Sequence, residues 1–466
     1  MKAVIWWIRR DLRLQDNPAL QAALNTGLPV IPLFILDPKL LQDPPSRRQM
    51  FLFDALSHLD QALNILGNKL IIRQGNPFSV LHQLFQEFPI EAIFAEEDYS
   101  PYANSRDGEI QRVLPLKLIL GYLIHHPLHV MKADHTPYTV FTPFSKTWKA
   151  FPKHIQPYPT PRHLPSCIHP ITSLPLPQST ALPNFPASES AAHQRLEAFI
   201  QEPIFQYSQG RNMLDQAGTS NLSPYLRFGL LSIRVAYQAA LKAAASTSLA
   251  EEKKGVETWV NELIWREFYT SILYHFPKVL KEAFYPQRRN IPWRNNPLEM
   301  KAWQAGLTGY PIVDACMRQL NETGWMHNRG RMIVASFLTK DLLHNWQLGE
   351  QYFMQQLIDG DPAANNGGWQ WTAGVGTDAA PYFRIFNPIL QSKKFDPQGN
   401  FIRIWLPELK HVPAQYLHEP WTMPEDLQRT SRSIIGKQYP APIVEHAIVK
   451  ERVMHAFRMS ALDQKT

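Results

Sequence analysis

The first 130 residues alternate short apolar runs, rich in β-branched side chains, with stretches of helical period. The apolar runs are Ala3–Ile8, Val30–Leu36, Lys69–Ile72, Ala92–Ala95 and Tyr122–Val130. Asn17 and Pro18 are typical of the start of the first helix. Strands separated by helices in this way form βαβ units, whose strands lie parallel in one sheet. The pattern predicts an α/β domain with a parallel, five-stranded sheet over residues 1–131.

A proline-rich stretch follows, since ten of the 40 prolines lie between Pro152 and Pro186. It has neither a helical nor an alternating period, which indicates a semi-rigid linker over residues 132–187. From Ser188 onward the period is helical, and a larger all-α domain is predicted over residues 188–466. The predicted helices are Ala191–Gln201, Ser223–Ala244, Val256–Phe276, Pro297–Trp303, Ile312–Thr323, Arg331–Leu343 and Tyr352–Leu357.

Composition narrows the class of protein. Of the 466 residues, 44% are hydrophobic and 19% are charged, which excludes a disordered chain and a coiled coil. The 47 basic and 40 acidic residues leave a net charge of +7, which is compatible with nucleic acid as a partner but does not require it. Cys167 and Cys316 are the only cysteines, so neither a disulfide framework nor an all-cysteine metal site is predicted.

Missing motifs exclude several common chemistries. The sequence has no G-x-x-x-x-G-K-[ST] loop, no G-x-G-x-x-G after the first strand, no G-x-S-x-G and no H-E-x-x-H. No uncharged apolar run reaches the roughly 18 residues of a membrane span. The first apolar run ends at Arg9 and Arg10, too soon for a secretion signal. We therefore expect a cytoplasmic protein without a membrane helix.

The segment Thr219–Ser223 places three hydroxyl groups and an amide just before a predicted helix. Hydroxyls and free backbone N–H groups at a helix start bind phosphate groups well. The same residue types are also typical of an ordinary helix cap. Taken alone, this segment does not decide between a phosphate site and a cap.

A second segment forms one stripe of the helix predicted over Val256–Phe276. Glu262, Trp265, Arg266 and Tyr269 follow the spacing i, i+3, i+4 and i+7, which places them on one face. Such residues are commonly core aromatics beside a solvated ion pair. An indole beside hydrogen-bonding groups is also how proteins hold an unstacked nucleic-acid base.

The third segment spans residues 325–332 and is followed by a predicted loop over Asp359–Trp371, rich in carboxylates and amides. Arg331 is placed to pair with Asp359. The residues that share one helix face are Asn328, Arg331 and Met332. A metal site is rejected, because the carboxylates lack the alternating pattern and the glutamate of a calcium loop. Its ligands would have been His327, Asp359 and Asp361.

Together these segments carry a resemblance to a known family. The matching motifs are Arg9–Leu14, Thr219–Ser223, Trp265–Phe268, Gly309–Ala315 and Asn365–Trp371. From near Met1 to about Leu406 the chain resembles the photolyase/cryptochrome family, and within it most resembles the class I cyclobutane pyrimidine dimer photolyases. The resemblance implies a Rossmann-like α/β domain for an antenna chromophore and an α-helical domain that holds FAD.

The resemblance also implies which residues surround FAD. Tyr207 and the segment Thr219–Ser223 would lie at the diphosphate and ribose, and Asn365 would lie beside flavin N5. The Arg331–Asp359 pair would bring positive charge near a flavin that must be anionic to donate an electron. The cofactor-binding residues are expected to be Tyr207, Thr219, Ser220, Asn221, Leu222, Ser223, Trp259, Arg331, Asp359, Gly360, Asp361 and Asn365.

For activity, the resemblance implies a deoxyribodipyrimidine photolyase, a carbon–carbon lyase that splits pyrimidine dimers in DNA by electron transfer from light-excited reduced FAD. A dimer stacks and pairs poorly, so extruding it from the duplex costs less than extruding normal bases. Glu262 would bind the thymine edges, and Trp265 and Trp371 would pack on the lesion. The substrate- and DNA-binding residues are expected to be Arg211, Glu262, Trp265, Arg266, Tyr269, Asn328, Arg329, Met332 and Trp371.

Three tryptophans match the electron relay of the family, which reduces oxidised FAD in light. They are Trp369, Trp346 and Trp293, and each is otherwise an ordinary buried indole. Residues that distinguish the branches of the family favour cyclobutane-dimer repair. These are Asn365, where plant cryptochromes have Asp, the pair His327-Asn328, where (6-4) enzymes have two histidines, and Met332, where the single-strand-preferring branch has Gln.

The antenna and the alternatives stay open. Tyr102 and Ala103 stand where folate-binding members have Asn and Glu, which favours 8-hydroxy-5-deazaflavin over methenyltetrahydrofolate. Arg227 replaces a lysine found in deazaflavin-binding relatives, and a lost antenna is a further alternative. The alternative function is a cryptochrome-type blue-light signalling flavoprotein; an oxidoreductase is disfavoured because no NAD(P)H fingerprint is present. We expect a monomer whose partner is dimer-containing DNA.

Overall fold

The structure, a computed structural model, describes residues 2–153, 156–167 and 170–462. The outer bounds of the predicted domains, residue 1 and residues 463–466, lie outside the described residues. The strands are β1 Ala3–Ile8, β2 Val30–Leu36, β3 Ile71–Gln74, β4 Ile90–Glu96 and β5 Leu116–Ile119. The helices are α1 Pro18–Leu24, α2 Arg47–Ile65, α3 Pro77–Glu87, α4 Pro101–Gln111, α5 Phe141–Ala150, α6 Glu189–Gln201, α7 Tyr207–Gly210, α8 Ser223–Phe228, α9 Ile233–Ser246, α10 Ala250–His275, α11 Pro297–Ala305, α12 Pro311–Thr323, α13 Asn328–Ser336, α14 Trp346–Gln356, α15 Pro362–Ala373, α16 Pro388–Phe395, α17 Asn400–Trp405, α18 Glu425–Thr430 and α19 Val449–Leu462.

Within the described ranges, the strands form one five-stranded parallel sheet in the order β3-β2-β1-β4-β5. The register places Trp6 of the central strand beside Pro32 on one side and Phe94 on the other. Every residue of β1 is buried, as is typical of a parallel sheet that is covered on both faces. The first helix begins as predicted, because the side chain of Asn17 accepts a hydrogen bond from the Leu20 N–H. The predicted α/β fold, followed by a helical region, is confirmed.

The predicted strand Tyr122–Val130 is wrong, since β5 is Leu116–Ile119. Its backbone N–H groups have other partners. Those of Ile124 and His125 donate to the buried carboxylate of Glu267, over 2.5 and 3.3 Å. An apolar run whose N–H groups bind a side chain cannot also pair with a neighbouring strand.

The predicted helix Ser223–Ala244 is divided into α8 and α9. Gly229 ends α8 with a φ of +64°, a conformation that favours glycine. A side chain there would also clash with the carbonyl oxygen of Arg10. Sequence periodicity continues across the break, which is why the prediction joined the two helices.

The helices differ from the predicted elements at three further places. Most of the loop predicted over Asp359–Trp371 is helix α15, whose first turn is capped by the side chain of Asp361. The predicted linker also contains helix α5. The helix predicted over Arg331–Leu343 begins earlier, as α13, and continues into a π-helical turn at Phe337–Asp341.

Contacts group the described chain into two units. One combines Met1–Ser208 with Thr219–Pro277, and the other combines Gln209–Gly218 with Lys278–Thr466. Helices α6, α8, α9 and α10 therefore group with the sheet, whereas the sequence analysis placed them in the second domain. The predicted bounds 1–131, 132–187 and 188–466 stay predictions. Among the described helices, none has both the length and the apolar character needed to cross a membrane.

Candidate functional site

The hydroxyl-rich segment before α8 lies in the first unit. The Thr219 hydroxyl donates to the Asn221 side-chain oxygen over 3.1 Å. The Trp259 indole donates to the Ser220 hydroxyl over 3.4 Å. The N-cap of α8 is Leu222, and no side chain caps the helix from that position. The structure therefore shows no side-chain cap at the start of α8, and the hydroxyls of Thr219 and Ser220 bond elsewhere.

Two predicted cofactor residues of this unit share an aromatic neighbour. The ring of Phe199 contacts Tyr207 at a centroid distance of 5.8 Å and Trp259 at 5.3 Å. Phe199 belongs to the buried face of α6. The sequence analysis missed it, because a buried Phe on an amphipathic helix looks like any other core residue.

The stripe of α10 combines a half-buried carboxylate, Glu262, with aromatic rings. The indole of Trp265 lies parallel to the ring of Phe141, with centroids 3.7 Å apart and an angle of 2° between the planes. Tyr269 lies one turn further along, 5.4 Å from Trp265. The predicted stripe thus includes an indole whose plane is fixed by a second ring.

Arg266, on the same stripe, has a structural role. Its guanidinium donates to the backbone carbonyl groups of Tyr122 and Leu226, over 3.0 and 3.3 Å. It also lies 3.8 Å from the centroid of the Tyr122 ring. These contacts oppose the predicted role of Arg266 in DNA binding, because a guanidinium that binds the protein's own carbonyl groups is not available to phosphate.

In the second unit, the predicted pair of Arg331 and Asp359 forms. The guanidinium donates to Asp359 Oδ2 over 2.8 Å, and the carboxylate is only 3% exposed. The second oxygen, Oδ1, is buried and has no hydrogen-bond partner within the described chain. Since an unpartnered buried acceptor is costly, Asp359 is suited to a ligand that brings a hydrogen-bond donor.

His327 caps helix α13, because its Nδ1 accepts from the Arg329 N–H over 3.0 Å. Burial, together with the charges of Arg329 and Arg331, lowers the pKa of His327 to about 4. The imidazole is therefore neutral at physiological pH, with Nε2 buried and unpartnered in the described residues. The sequence analysis took His327 as a branch marker and missed its capping role.

Arg329 lies in a cluster of positive charge. Its guanidinium donates to the Asn212 side chain over 2.5 Å and lies 4.3 Å from the centroid of the Phe395 ring. Burial, and then repulsion by Arg211 and Arg384, lower the pKa of Arg329 to about 10. A cluster of repelling cations of this kind favours binding of an anion such as phosphate.

Helix α15 carries Asn365 and Asn366, and both contact α14. The Asn365 amide donates to the Glu350 backbone carbonyl, and the Asn366 amide to the Glu350 carboxylate, each over 3.0 Å. Burial raises the pKa of Glu350 to about 7. Glu350 was not among the predicted site residues, although it is the only acidic residue in the α14 sequence.

The three predicted relay tryptophans lie in the second unit. Trp346 is the first residue of α14, and Trp369 lies in α15. Trp369 contacts the ring of Phe353 at 5.0 Å, and Trp293 contacts the ring of Phe457 at 6.3 Å. Within the described residues, Trp369 and Trp293 contact other aromatic rings, and no ring contact joins any two of the three indoles.

The remaining predicted residues of this unit lie on α13, on α15 or in the segments next to α7 and α15. Asn328 is exposed, and Met332, Trp371 and Arg211 are half-buried. Gly360 is buried just before α15. One oxygen of Asp361 accepts from the N–H groups of Ala363 and Ala364, over 3.0 and 3.1 Å, so this carboxylate has a capping role.

Comparison with known proteins gives consistent matches along the chain. Residues 4–162 match the family model of DNA photolyase, and residues 259–459 match that of the FAD binding domain of DNA photolyase. The deoxyribodipyrimidine photo-lyase of Synechococcus sp. is 43% identical over 465 residues, which cover 95% of this chain and 94% of that protein.

Solved structures are similar as well. A class III photolyase from Agrobacterium tumefaciens matches with a TM-score of 0.93 and 34% identity, over 100% of this chain and 98% of that one. A cryptochrome from Synechocystis sp. matches with a TM-score of 0.88 and 30% identity, over 98% and 99% of the two chains.

Proposed function

Because the chain belongs to the DNA photolyase family, we propose that it uses FAD and light to repair cyclobutane pyrimidine dimers in DNA. One observation carries this proposal. Helix α10 holds the indole of Trp265 in a fixed plane, one turn after the carboxylate of Glu262. A flat apolar surface beside a hydrogen-bonding group suits an extruded pyrimidine pair, which needs both stacking and recognition of its edges.

FAD fits the residues of each unit. In the first unit, neutral hydroxyl and amide groups before α8, which do not cap that helix, suit a diphosphate and a ribose. In the second unit, Asp359 Oδ1 suits the N–H group of a heterocycle, and Arg331 supplies positive charge. When bound, reduced FAD supplies the electron that light makes available for splitting the lesion.

We propose that the predicted residues have three roles: lesion binding, contact with the DNA backbone and electron transfer. Glu262 would bind the pyrimidine edges, and Trp265 and Trp371 would pack on the lesion and exclude water from it. Arg329 and Arg211 would contact the phosphate backbone, since an anion relieves the repulsion within their cluster. A relay through Trp293, Trp346 and Trp369 stays part of the proposal.

For the antenna, we propose that 8-hydroxy-5-deazaflavin is favoured over methenyltetrahydrofolate. The hydroxyl of Tyr102 donates to the carboxylate of Asp37, and the guanidinium of Arg106 lies 5.5 Å from the centroid of the Tyr102 ring. A phenol held in this way does not offer the amide that folate-binding members have at this position. An absorption spectrum of the purified protein, with its separate flavin and antenna bands, tests this point.

A second candidate function is blue-light signalling without repair. The likeness to a cryptochrome structure at a TM-score of 0.88 favours it. The two functions differ in how the protein treats the lesion. A repair enzyme binds and splits it, whereas a signalling protein does not need to distinguish damaged from undamaged DNA.

The test uses a DNA duplex with one cyclobutane dimer and the full chain loaded with reduced FAD. We expect restored pyrimidines under blue light and none in the dark. Glu262→Ala should lower the repair yield while FAD stays bound, and Arg266→Ala should leave the yield per folded molecule unchanged. Equal product in light and dark contradicts the mechanism, and absence of both repair and preferential dimer binding favours signalling.

A further inference from the structure

The closest parallel ring contact of a residue on α10 is with Phe141 of α5, which had no predicted role. Phe141, the first residue of α5, covers one face of the Trp265 indole at a centroid distance of 3.7 Å and an angle of 2°. A gap of this size admits no further ring. Any base that stacks on Trp265 must therefore take the opposite face of the indole.

Contacts along α5 hold Phe141 in this place. Phe144 meets Phe268 of α10 at a centroid distance of 5.3 Å. The Trp148 indole donates to the buried carboxylate of Glu267, also on α10, over 2.6 Å. Phe141, Phe144 and Trp148 follow the spacing i, i+3 and i+7, so one face of α5 is fixed against α10 along its whole length.

Such a contact has a use beyond packing. Isolated aromatic pairs prefer offset or edge-to-face geometry over near-complete overlap, so the parallel arrangement is imposed by the two helices. It restricts the rotamer of Trp265 before any ligand arrives. Ordering a side chain in advance lowers the entropy lost on binding, and so strengthens binding of the correct partner.

We propose that Phe141 is a positioning residue for the lesion, acting through Trp265. It fixes the plane of the indole, so that the face of the ring away from Phe141 is oriented for the extruded pyrimidine pair. The inference rests on the proposed function, because it takes Trp265 as the surface on which the lesion packs. It adds that the preference for dimers depends on a residue of α5 that needs no contact with DNA.

The experiment compares two leucine variants at opposite ends of α5. Phe141→Leu removes the ring against Trp265. Phe151→Leu removes another parallel contact, that of Phe151 with His129 at 5.9 Å and 9°, and serves as the matched control. Binding of dimer-containing and undamaged duplex is measured in the dark on FAD-loaded protein, with flavin content and thermal unfolding checked for each variant.

We expect Phe141→Leu to bind dimer DNA about tenfold more weakly, a fraction of the stacking energy of one base. Its affinity for undamaged duplex and its flavin content should stay at the wild-type values. Phe151→Leu should keep the full preference for dimers, and Phe141→Tyr, which restores a ring, should recover it. In a Trp265→Ala background, Phe141→Leu should have no further effect on dimer binding, because its effect passes through the indole.

The outcomes separate the inference from the proposed function. A wild-type protein that does not prefer dimers overturns both. A wild-type protein that prefers dimers, together with an equal preference in Phe141→Leu, overturns the inference alone. So does a loss of dimer binding by Phe141→Leu that is as large with alanine at position 265 as with tryptophan.

Discussion

Two buried carboxylates, one in each unit, differ in whether the protein satisfies all of their hydrogen-bonding oxygens. Glu267 accepts three hydrogen bonds, from the N–H groups of Ile124 and His125 and from the Trp148 indole. Asp359 is paired with Arg331 through one oxygen, while the other is buried without a partner in the described chain.

This difference helps to distinguish a buried acid that stabilises the fold from one that binds a ligand. Both groups are almost fully removed from water. The protein itself satisfies Glu267, which therefore fixes the segment after β5 and helix α5 onto α10. The described surroundings of Asp359 lack one donor, which the proposed FAD would supply. Buried polar groups that stay unsatisfied are costly, so the free oxygen of Asp359 supports the proposed contact with FAD.

Removing the Glu267 carboxylate should have the largest effect on stability. Glu267→Ala leaves two backbone N–H groups and an indole N–H buried without an acceptor, and we expect a loss of about 4 kcal/mol in the free energy of unfolding. Urea titration measures it. Flavin bound per folded molecule should not change. A variant that keeps its stability would show that water replaces the carboxylate.

Replacing Asp359, by contrast, should chiefly affect FAD binding. We expect Asp359→Asn to lose most of its FAD, measured by absorbance per folded protein, and about 2 kcal/mol of stability, because Arg331 loses its partner. Asp314→Asn is the matched control. That carboxylate, in the same unit, is satisfied by Thr308, Gly309 and Tyr439. It should cost stability without loss of FAD; equal flavin loss in both variants would remove the distinction.

The titration of Glu267 sharpens the comparison further. Burial raises its pKa to about 7, whereas an unfolded glutamate ionises near pH 4.3. Between these values the folded state binds one more proton than the unfolded state, so the wild-type free energy of unfolding falls as pH rises. Glu267→Gln has no such proton. Its stability deficit relative to wild type should therefore shrink by about 3 kcal/mol between pH 4 and pH 8; a constant deficit would contradict the assignment.

Sequence alone predicts the elements whose hydrogen bonds are local or repeat in a simple pattern. β1 and β2 have the predicted bounds, because each is an unbroken apolar run in the centre of a parallel sheet. The segment Tyr122–Val130, which mixes apolar residues with three histidines, was predicted as a strand but binds Glu267, a partner far along the chain. Helix α15 was missed because Gly and Asn have low helix propensity, although Asp361-Pro362 is a typical helix start.

The same distinction holds for the candidate site. The pair of Arg331 and Asp359 could be predicted, since both residues lie in recognisable motifs. Phe141 and Glu350 could not, because each matters through a neighbour that the sequence does not place beside it. Arg266 shares a stripe with Trp265, yet its long side chain reaches carbonyl groups of other segments, which helical spacing cannot reveal.

Two arginines extend the comparison to cations, and their replacement is expected to change the salt dependence of DNA binding only slightly. Arg266 binds two of the protein's own carbonyl groups, while burial, and then repulsion by Arg211 and Arg384, lower the pKa of Arg329. If Arg329 contacts a phosphate, Arg329→Ala should make the slope of log affinity against log salt shallower by about one unit. Arg266→Ala should leave the slope unchanged, because its guanidinium is already used within the fold. Binding of dimer-containing duplex over a range of salt concentrations measures both, and equal slopes for the two variants would show that the repelling cluster around Arg329 serves the fold and not the DNA.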